Sequence, residues 1–275
     1  HVNKMIWSGL GWDPDVKPID TLREFSRYFI ADELADQFAQ GLMALERNWR
    51  GPLSSNFDVE TTLQMFQTME KNASPQTKAV WRFQQGLYRA YYDAYNRRRL
   101  QYETELENQA LDTLRNAGRL GSEIAMAEAE AILNRAVTEP VAQDLRARVF
   151  ELAEGLYQSS RSQLSVDRYQ AISVGRGANL DTVDVPLNNR MYLTQRFAEI
   201  RKMEKEDERS AAIDEIVNWT NPGAGGFYDD LGNLARHPQL VRGPRYPSDP
   251  AHLETTYTSL GRTGHGRRKG STYVH

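Results

Sequence analysis

The segment from Pro75 to Ala117 constrains the fold of this chain more than any other. It contains no further proline and only one internal glycine, Gly86. Ser74 precedes it, and a serine cap followed by proline at the first helical position is a typical helix start. Two glycines follow and can end the helix. We therefore expect one long helix here, which would span roughly 60 Å.

Two apolar stripes run along this segment at helical spacing. The first consists of Trp81, Tyr88, Tyr92, Tyr95, Tyr102 and Leu106, and the second of Val80, Phe83, Leu87, Tyr91 and Ala94. Adjacent stripes give a wide buried face, which is typical of a helical bundle. The tyrosine and tryptophan rings could line a sugar-binding or cofactor-binding surface, or they could belong to the core. Their helical spacing favours the core.

Apolar periodicity predicts further helices on both sides of the long one. Thr21 and Glu24 fit a capping box, so the first is expected to begin at Asp20 or Thr21. The others are predicted near residues 31–50, 58–71, 122–136, 139–164, 187–203 and 206–218. The predicted fold is all-α, an irregular bundle of roughly seven or eight helices around one long central helix. This bundle is expected to occupy residues 20–220.

Both ends of the chain lack the apolar periodicity that predicts helices elsewhere. Within residues 1–19, Met5–Trp7 indicates a short buried strand, and glycines and prolines follow it. We therefore predict an extended junction segment there. Residues 221–275 contain 9 of the 19 glycines and 5 of the 11 prolines. This segment is predicted to be an extended, non-helical tail, or a linker to a following domain.

Composition excludes several kinds of chemistry. The chain has no cysteine, so disulfides, thiolate metal sites and cysteine nucleophiles are excluded. No histidine falls between residues 2 and 236, which excludes a histidine base or ligand from the helical body. The formal net charge of −3 gives no sign of a nucleic-acid partner. No apolar run approaches the roughly 20 residues of a membrane helix, so no membrane partner is expected.

No catalytic residue can be assigned from the sequence. Phosphate-binding, dinucleotide-binding, hydrolase and zinc-protease motifs are absent. Arg97, Arg98 and Arg99 fan around a helix, and Glu103, Glu105 and Glu107 follow within reach. A solvated, ion-paired face is the interpretation these residues favour.

The segment WTNPGAGGFYDDLGN, residues 219–233, marks the end of the helical pattern. Trp219, Phe227 and Tyr228 could contribute rings to a ligand cleft or pack an Asx-rich turn. The segment also contains oxygen ligands without the spacing of a calcium loop. The weak candidates for binding Ca²⁺ are Asp229, Asp230 and Asn233. No other cofactor is expected.

Residues 5–30 read MIWSGLGWDPD and then IDTLREFSRYFI. This pattern resembles the junction at which the catalytic barrel of certain bacterial glycoside hydrolases passes into a C-terminal helical domain. The proteins concerned are relatives of hexosaminidases, α-N-acetylglucosaminidases and α-glucuronidases. In the resemblance, Met5–Trp7 is the last barrel strand, Trp12–Pro14 the turn and Leu22–Ile30 the helix. Residues 38–53 continue the pattern, and residues 217–233 are similar to segments of such large secreted proteins.

The resemblance implies an accessory helical region of a secreted protein that acts on polysaccharide or oligosaccharide outside the cell or in the periplasm. Catalytic carboxylates would lie on barrel strands preceding His1, so this chain is expected to be non-catalytic and part of a longer or processed protein. Trp7 and Trp12 would line a sugar subsite or pack at the domain junction. The alternative is a structural or interaction scaffold that assembles with neighbouring chains through its extended termini.

Overall fold

The computed structural model describes residues 2–48, 53–172 and 179–218, and in these ranges the regular structure is entirely helical. The all-α prediction is confirmed. None of the described helices is long and apolar enough to cross a membrane. The twelve helices are α1 (Val2–Trp12), α2 (Pro18–Phe29), α3 (Ala35–Arg47), α4 (Asp58–Asn72), α5 (Pro75–Ala79), α6 (Trp81–Arg115), α7 (Ala117–Leu120), α8 (Ser122–Thr138), α9 (Gln143–Ser160), α10 (Val166–Tyr169), α11 (Arg190–Ile200) and α12 (Glu206–Val217).

The helices belong to two compact units, each assembled from two separate stretches of chain. Unit 1 comprises His1–Arg97 and Asp144–Gln170. Unit 2 comprises Arg98–Gln143 and Ala171–His275. The long helix α6 therefore supplies its first half to unit 1 and its second half to unit 2.

The core of unit 1 is aromatic. The ring of Phe38 on α3 lies 5.9 Å from that of Phe66 on α4 and 5.8 Å from that of Phe83 on α6, centroid to centroid. All three side chains are fully buried. Gly86 permits this approach, because a Cβ there would lie 2.8 Å from a Phe66 ring atom. Gly86 is therefore a packing position that brings α6 against the rings.

Unit 2 has an aliphatic core that joins the second half of α6 to α7, α8, α11 and α12. Its buried members are Ala110, Leu111, Leu114, Ala117, Ala125, Met126, Ala129, Leu133, Leu193, Phe197, Ile200, Ala212, Ile213 and Ile216. Glu206, at the start of α12, accepts hydrogen bonds at 2.7 Å from both the backbone N–H and the hydroxyl of Ser122. These bonds hold the pKa of Glu206 below its usual range. The carboxylate thus satisfies one of the free backbone N–H groups at the start of α8.

The prediction of a strand at Met5–Trp7 is wrong, because residues 2–12 form the helix α1. The first proline is Pro14, so nothing in this stretch breaks a helix. Gly9 lies where α1 approaches α2, since a Cβ there would be 3.3 Å from the Thr21 hydroxyl oxygen. The glycine allows close packing and does not mark a turn. The N-terminal segment is therefore not extended, and the barrel strand implied by the resemblance is helical here.

Two helix boundaries also differ from the predictions. Helix α2 begins at Pro18 with Lys17 as its N-cap, so neither Asp20 nor Thr21 caps it. The predicted long helix is interrupted at Val80, where the backbone is extended. The Ser74 cap is confirmed, since its hydroxyl accepts from the Thr77 N–H at 3.1 Å, but it begins the short α5.

Candidate functional site

The first two helices of unit 1 expose large aromatic rings. Trp7 is 67% exposed, Trp12 is 93% exposed and Tyr28 on α2 is 82% exposed. Trp7 and Trp12 lie five residues apart on α1, which separates them by roughly 140° around the helix axis. They therefore point in different directions and form two separate contact points.

The two tryptophans suggested by the resemblance are thus available to a ligand or a partner, and neither packs into the core of this chain. The remaining aromatic candidates, Trp219, Phe227 and Tyr228, lie outside the described residues. The weak calcium candidates Asp229, Asp230 and Asn233 lie outside them as well. In the ranges described, no group of three or more acidic or histidine side chains is arranged to bind a metal ion.

One cation, Arg82, contacts two aromatic rings, and a third and exposed ring, Tyr28, packs against one of them. The guanidinium carbon of Arg82 lies 4.3 Å from the ring centroid of Phe29 and 4.2 Å from that of Trp81. Tyr28 packs edge-on against Phe29, with centroids 4.7 Å apart. Arg82, Phe29 and Trp81 are partly buried. The arrangement combines a positive charge with one exposed ring, Tyr28, and such groups bind anionic and cyclic ligands.

Sequence reasoning missed this cluster. Trp81 and Arg82 are adjacent in the chain, but Phe29 and Tyr28 come from α2, far upstream. The apolar pattern assigned Trp81 to the core stripe and gave Arg82 no role. Only the packing of α2 against the beginning of α6 brings the two pairs together.

The tyrosine stripe of α6 forms part of the core, which confirms the interpretation its spacing favoured. Tyr88, Tyr92 and Tyr95 are buried. The rings of Tyr88 and Tyr92 stack 5.7 Å apart. Burial raises the pKa of the Tyr88 hydroxyl well above its usual range. These rings are consequently inaccessible to a sugar or a cofactor.

A buried polar cluster interrupts the apolar surroundings of α6 in unit 1. The fully buried Asp93 carboxylate accepts from the Asn48 amide at 2.8 Å and lies 2.9 Å from the Arg89 Nε atom. Asn96, one turn further along, is also fully buried, and neither amide atom has a hydrogen-bond partner among the described residues. Burial raises the pKa of Asp93 to about 6 despite these contacts. A substrate cannot reach this carboxylate, so the cluster has a structural role.

Asp93 makes the stability of unit 1 depend on pH. Its pKa is raised on folding, so stability is gained as pH falls through the folded value of about 6. Between pH 7 and pH 5 we expect this group to add about 1 kcal/mol to the free energy of unfolding. Urea unfolding at the two pH values should show this gain in the parent chain and its loss in Asp93→Asn. An unchanged pH dependence in Asp93→Asn, matching the exposed control Asp15→Asn, would contradict the assignment.

The predicted solvated face at Arg97 and Arg99 is wrong, because both side chains are buried. The two side chains point to different sides of α6 and form ion pairs with different carboxylates. Arg97 pairs with Glu60 on α4 at 3.2 Å. Arg99 pairs with Glu103 at 2.6 Å and donates to the carbonyl oxygens of Val183 and Val185.

Glu103 and Glu107 fasten the segment before α11 to α6. Glu103 accepts from the Leu187 N–H at 2.6 Å. Glu107 accepts from the Asn189 N–H at 2.8 Å and from its side-chain amide at 2.6 Å. The two carboxylates are buried and engaged with the chain itself. They are structural groups and do not resemble a glycosidase pair facing a cleft.

Comparison with known proteins gives no match to a protein-family model, to a curated protein or to a solved structure. The candidate site is therefore defined only by exposure, charge and ring geometry. It consists of the aromatic surface of α1 and α2 together with Arg82.

Proposed function

We propose that this chain is a non-catalytic, carbohydrate-binding accessory region of a secreted bacterial glycoside-hydrolase-like protein, acting outside the cell or in the periplasm. The observation that carries the proposal is the exposure of Trp7 and Trp12, at 67% and 93%. An exposed tryptophan leaves a large apolar ring in water, and covering it with the apolar face of a sugar removes that cost. The resemblance of residues 12–30 to the turn and helix of a glycoside-hydrolase junction supports the same function, although the strand of that junction is helical here.

The chemistry of the interior supports a binding role over a catalytic one. Asp93, whose pKa burial raises, is enclosed, and Glu103 and Glu107 bind backbone N–H groups of the same unit. Glycoside hydrolysis needs two carboxyl groups that face a shared cleft. A catalytic barrel elsewhere in a longer protein would supply them, and this chain would bind the polysaccharide beside it.

Glycan binding by Trp12→Ala tests the proposal. The parent chain is expected to bind one or more polysaccharides on a glycan array, and Trp12→Ala is expected to weaken that binding about two- to tenfold. Trp7→Ala should have a separate, smaller or equal effect, because the two rings face different directions. Phe57→Ala serves as the control, since Phe57 is an exposed ring outside α1 and α2. No binding by the parent, or equal binding by parent and Trp12→Ala, would refute the carbohydrate role.

A second candidate function is an interaction scaffold, and one observation favours it. The helix α1 is rich in apolar residues, and none of its eleven residues is buried. An apolar helix of this kind is typical of a docking surface for a protein partner. In this case Trp7 and Trp12 would contact a catalytic barrel domain or a neighbouring chain. Sedimentation of the chain with and without α1 would reveal self-association, and saturable glycan binding by a strict monomer would favour the first function.

A further inference from the structure

Arg82 differs from three other partly or fully buried arginines of unit 1, each of which pairs with a carboxylate. Arg89 pairs with Asp93, Arg97 with Glu60 and Arg148 with Glu70. Arg82 forms no ion pair with any residue that the structure describes. Its Nε atom is buried and has no hydrogen-bond acceptor there. A guanidinium taken partly out of water without an anion is costly, and among the described residues Arg82 lacks the carboxylate that the other three have.

The ring contacts of Arg82 stabilise the cation but supply no negative charge. Its guanidinium carbon lies within 4.3 Å of the centroids of Phe29 and Trp81. Cation–π contacts of this kind contribute about 0.5–2 kcal/mol and fix the plane of the guanidinium. They supply no oxygen acceptor. The remaining N–H donors are therefore oriented in advance for an anion with two oxygens, such as a carboxylate or a sulfate.

The rings beside Arg82 define the shape of the ligand. Tyr28 packs against Phe29 at 4.7 Å and is 82% exposed, so it presents an open ring beside Phe29, which itself contacts the cation. A ligand that satisfies both features has an apolar ring face and an anionic substituent. A sugar ring that bears a carboxylate or sulfate group has this combination, whereas a free inorganic anion lacks the ring.

We propose that Arg82, flanked by Trp81 and Phe29, binds the anionic substituent of an acidic glycan while Tyr28 contacts the sugar ring. This inference rests on the proposed carbohydrate-binding function and adds the class of ligand. The glycan is one whose residues bear carboxylate or sulfate groups, and the guanidinium binds two oxygens of the group. Neutral polysaccharides can then bind only through the exposed rings, with lower affinity.

Calorimetric titration of the intact chain with oligogalacturonate and with its methyl ester tests this inference. The two ligands share the same sugar ring and differ in the charge of the carboxyl group. The parent is expected to bind the acid about tenfold more tightly than the ester. Arg82→Gln should remove this preference, and Arg82→Lys, which keeps the charge and loses the two-pronged geometry, should retain part of it. Dextran sulfate and dextran form a second pair that distinguishes sulfate from carboxylate.

A matched control is Arg27→Gln, which makes the same charge change at an exposed arginine of α2 that already pairs with Asp32 at 2.7 Å. It should keep the full preference for the acid. Equal affinity for acid and ester, or an equal loss in Arg27→Gln and Arg82→Gln, would overturn the inference and leave the carbohydrate role standing. If the parent chain bound neither ligand and no other glycan, both the inference and the carbohydrate role would be overturned. Tighter, Arg82-dependent binding of poly-L-glutamate would assign the site to an acidic peptide and overturn the glycan.

Discussion

Phe66→Ala is expected to lower the free energy of unfolding of unit 1 by about 3–5 kcal/mol. The Phe66 side chain is fully buried between Phe38 and the glycines of α3 and α6. Its removal would leave a cavity, and the surrounding rings cannot collapse into it without moving a helix. Urea unfolding followed by tryptophan fluorescence, with hydrogen exchange of α3 and α4, would measure the loss.

Phe57 offers the matched control for this experiment. It lies at the N-cap of the same helix, α4, and is 76% exposed. We expect Phe57→Ala to change the free energy of unfolding by less than about 1 kcal/mol. Similar losses in the two variants would show that the three-ring cluster is not the centre of the unit 1 core.

Glu103→Ala is expected to destabilise unit 2 by about 3–5 kcal/mol. The substitution removes the carboxylate that lies 2.6 Å from the Arg99 guanidinium and the acceptor for the Leu187 N–H. Arg99 would keep its bonds to two carbonyl oxygens but would lose the Glu103 carboxylate within a buried site. Hydrogen exchange at residues 183–189 should increase together with the loss of stability.

The control is Glu105→Ala, two residues away on the exposed side of α6, where the carboxylate accepts one hydrogen bond from Gln109 at 2.9 Å. Its effect should stay within about 0.5 kcal/mol. If Glu103→Ala were as mild as Glu105→Ala, the buried pair would contribute no net stability. Loss of protection at residues 183–189 without a change in global unfolding would instead locate the effect in that segment alone.

Apolar spacing and cap residues were sufficient to predict those helices that bury one apolar face against the core. The helix predicted near residues 58–71 is α4, and its apolar residues at helical spacing are all buried: Val59, Leu63, Phe66 and Met69. The Ser74 cap was also predictable, since serine before proline has a direct backbone function. In these cases the apolar period and the cap chemistry are fixed by residues close together in the chain.

The errors came from residues whose role depends on a distant segment. In the sequence, Gly9 looks like a turn residue and Gly86 like a helix position without a special role. In the structure, each lies where another side chain approaches closely. Val80 interrupts a periodicity that continues across it, so the sequence contains no signal for the break. Arg97 and Arg99 looked solvated because neither Glu60 nor the carbonyls of residues 183 and 185 are neighbours in sequence.

The candidate site was predictable only in part. Trp7 and Trp12 were identified through a family resemblance, and their exposure could not be inferred from the residues alone. Arg82 has no sequence motif, since what distinguishes it is the lack of a carboxylate partner among the described residues, which only the structure can reveal. Such a property requires knowledge of every neighbour of the side chain.

The interleaving of the two units has a consequence for protein synthesis. Unit 1 takes residues from His1–Arg97 and again from Asp144–Gln170, with the first stretch of unit 2 between them. On the ribosome, the aromatic helices α2 to α4 emerge well before α9, which also belongs to unit 1. The apolar residues of the incomplete unit 1 are therefore exposed to aggregation while residues 98–143 are translated. A ribosome stalled after residue 97 would carry an unfinished unit, and one stalled after residue 170 would carry all of its segments.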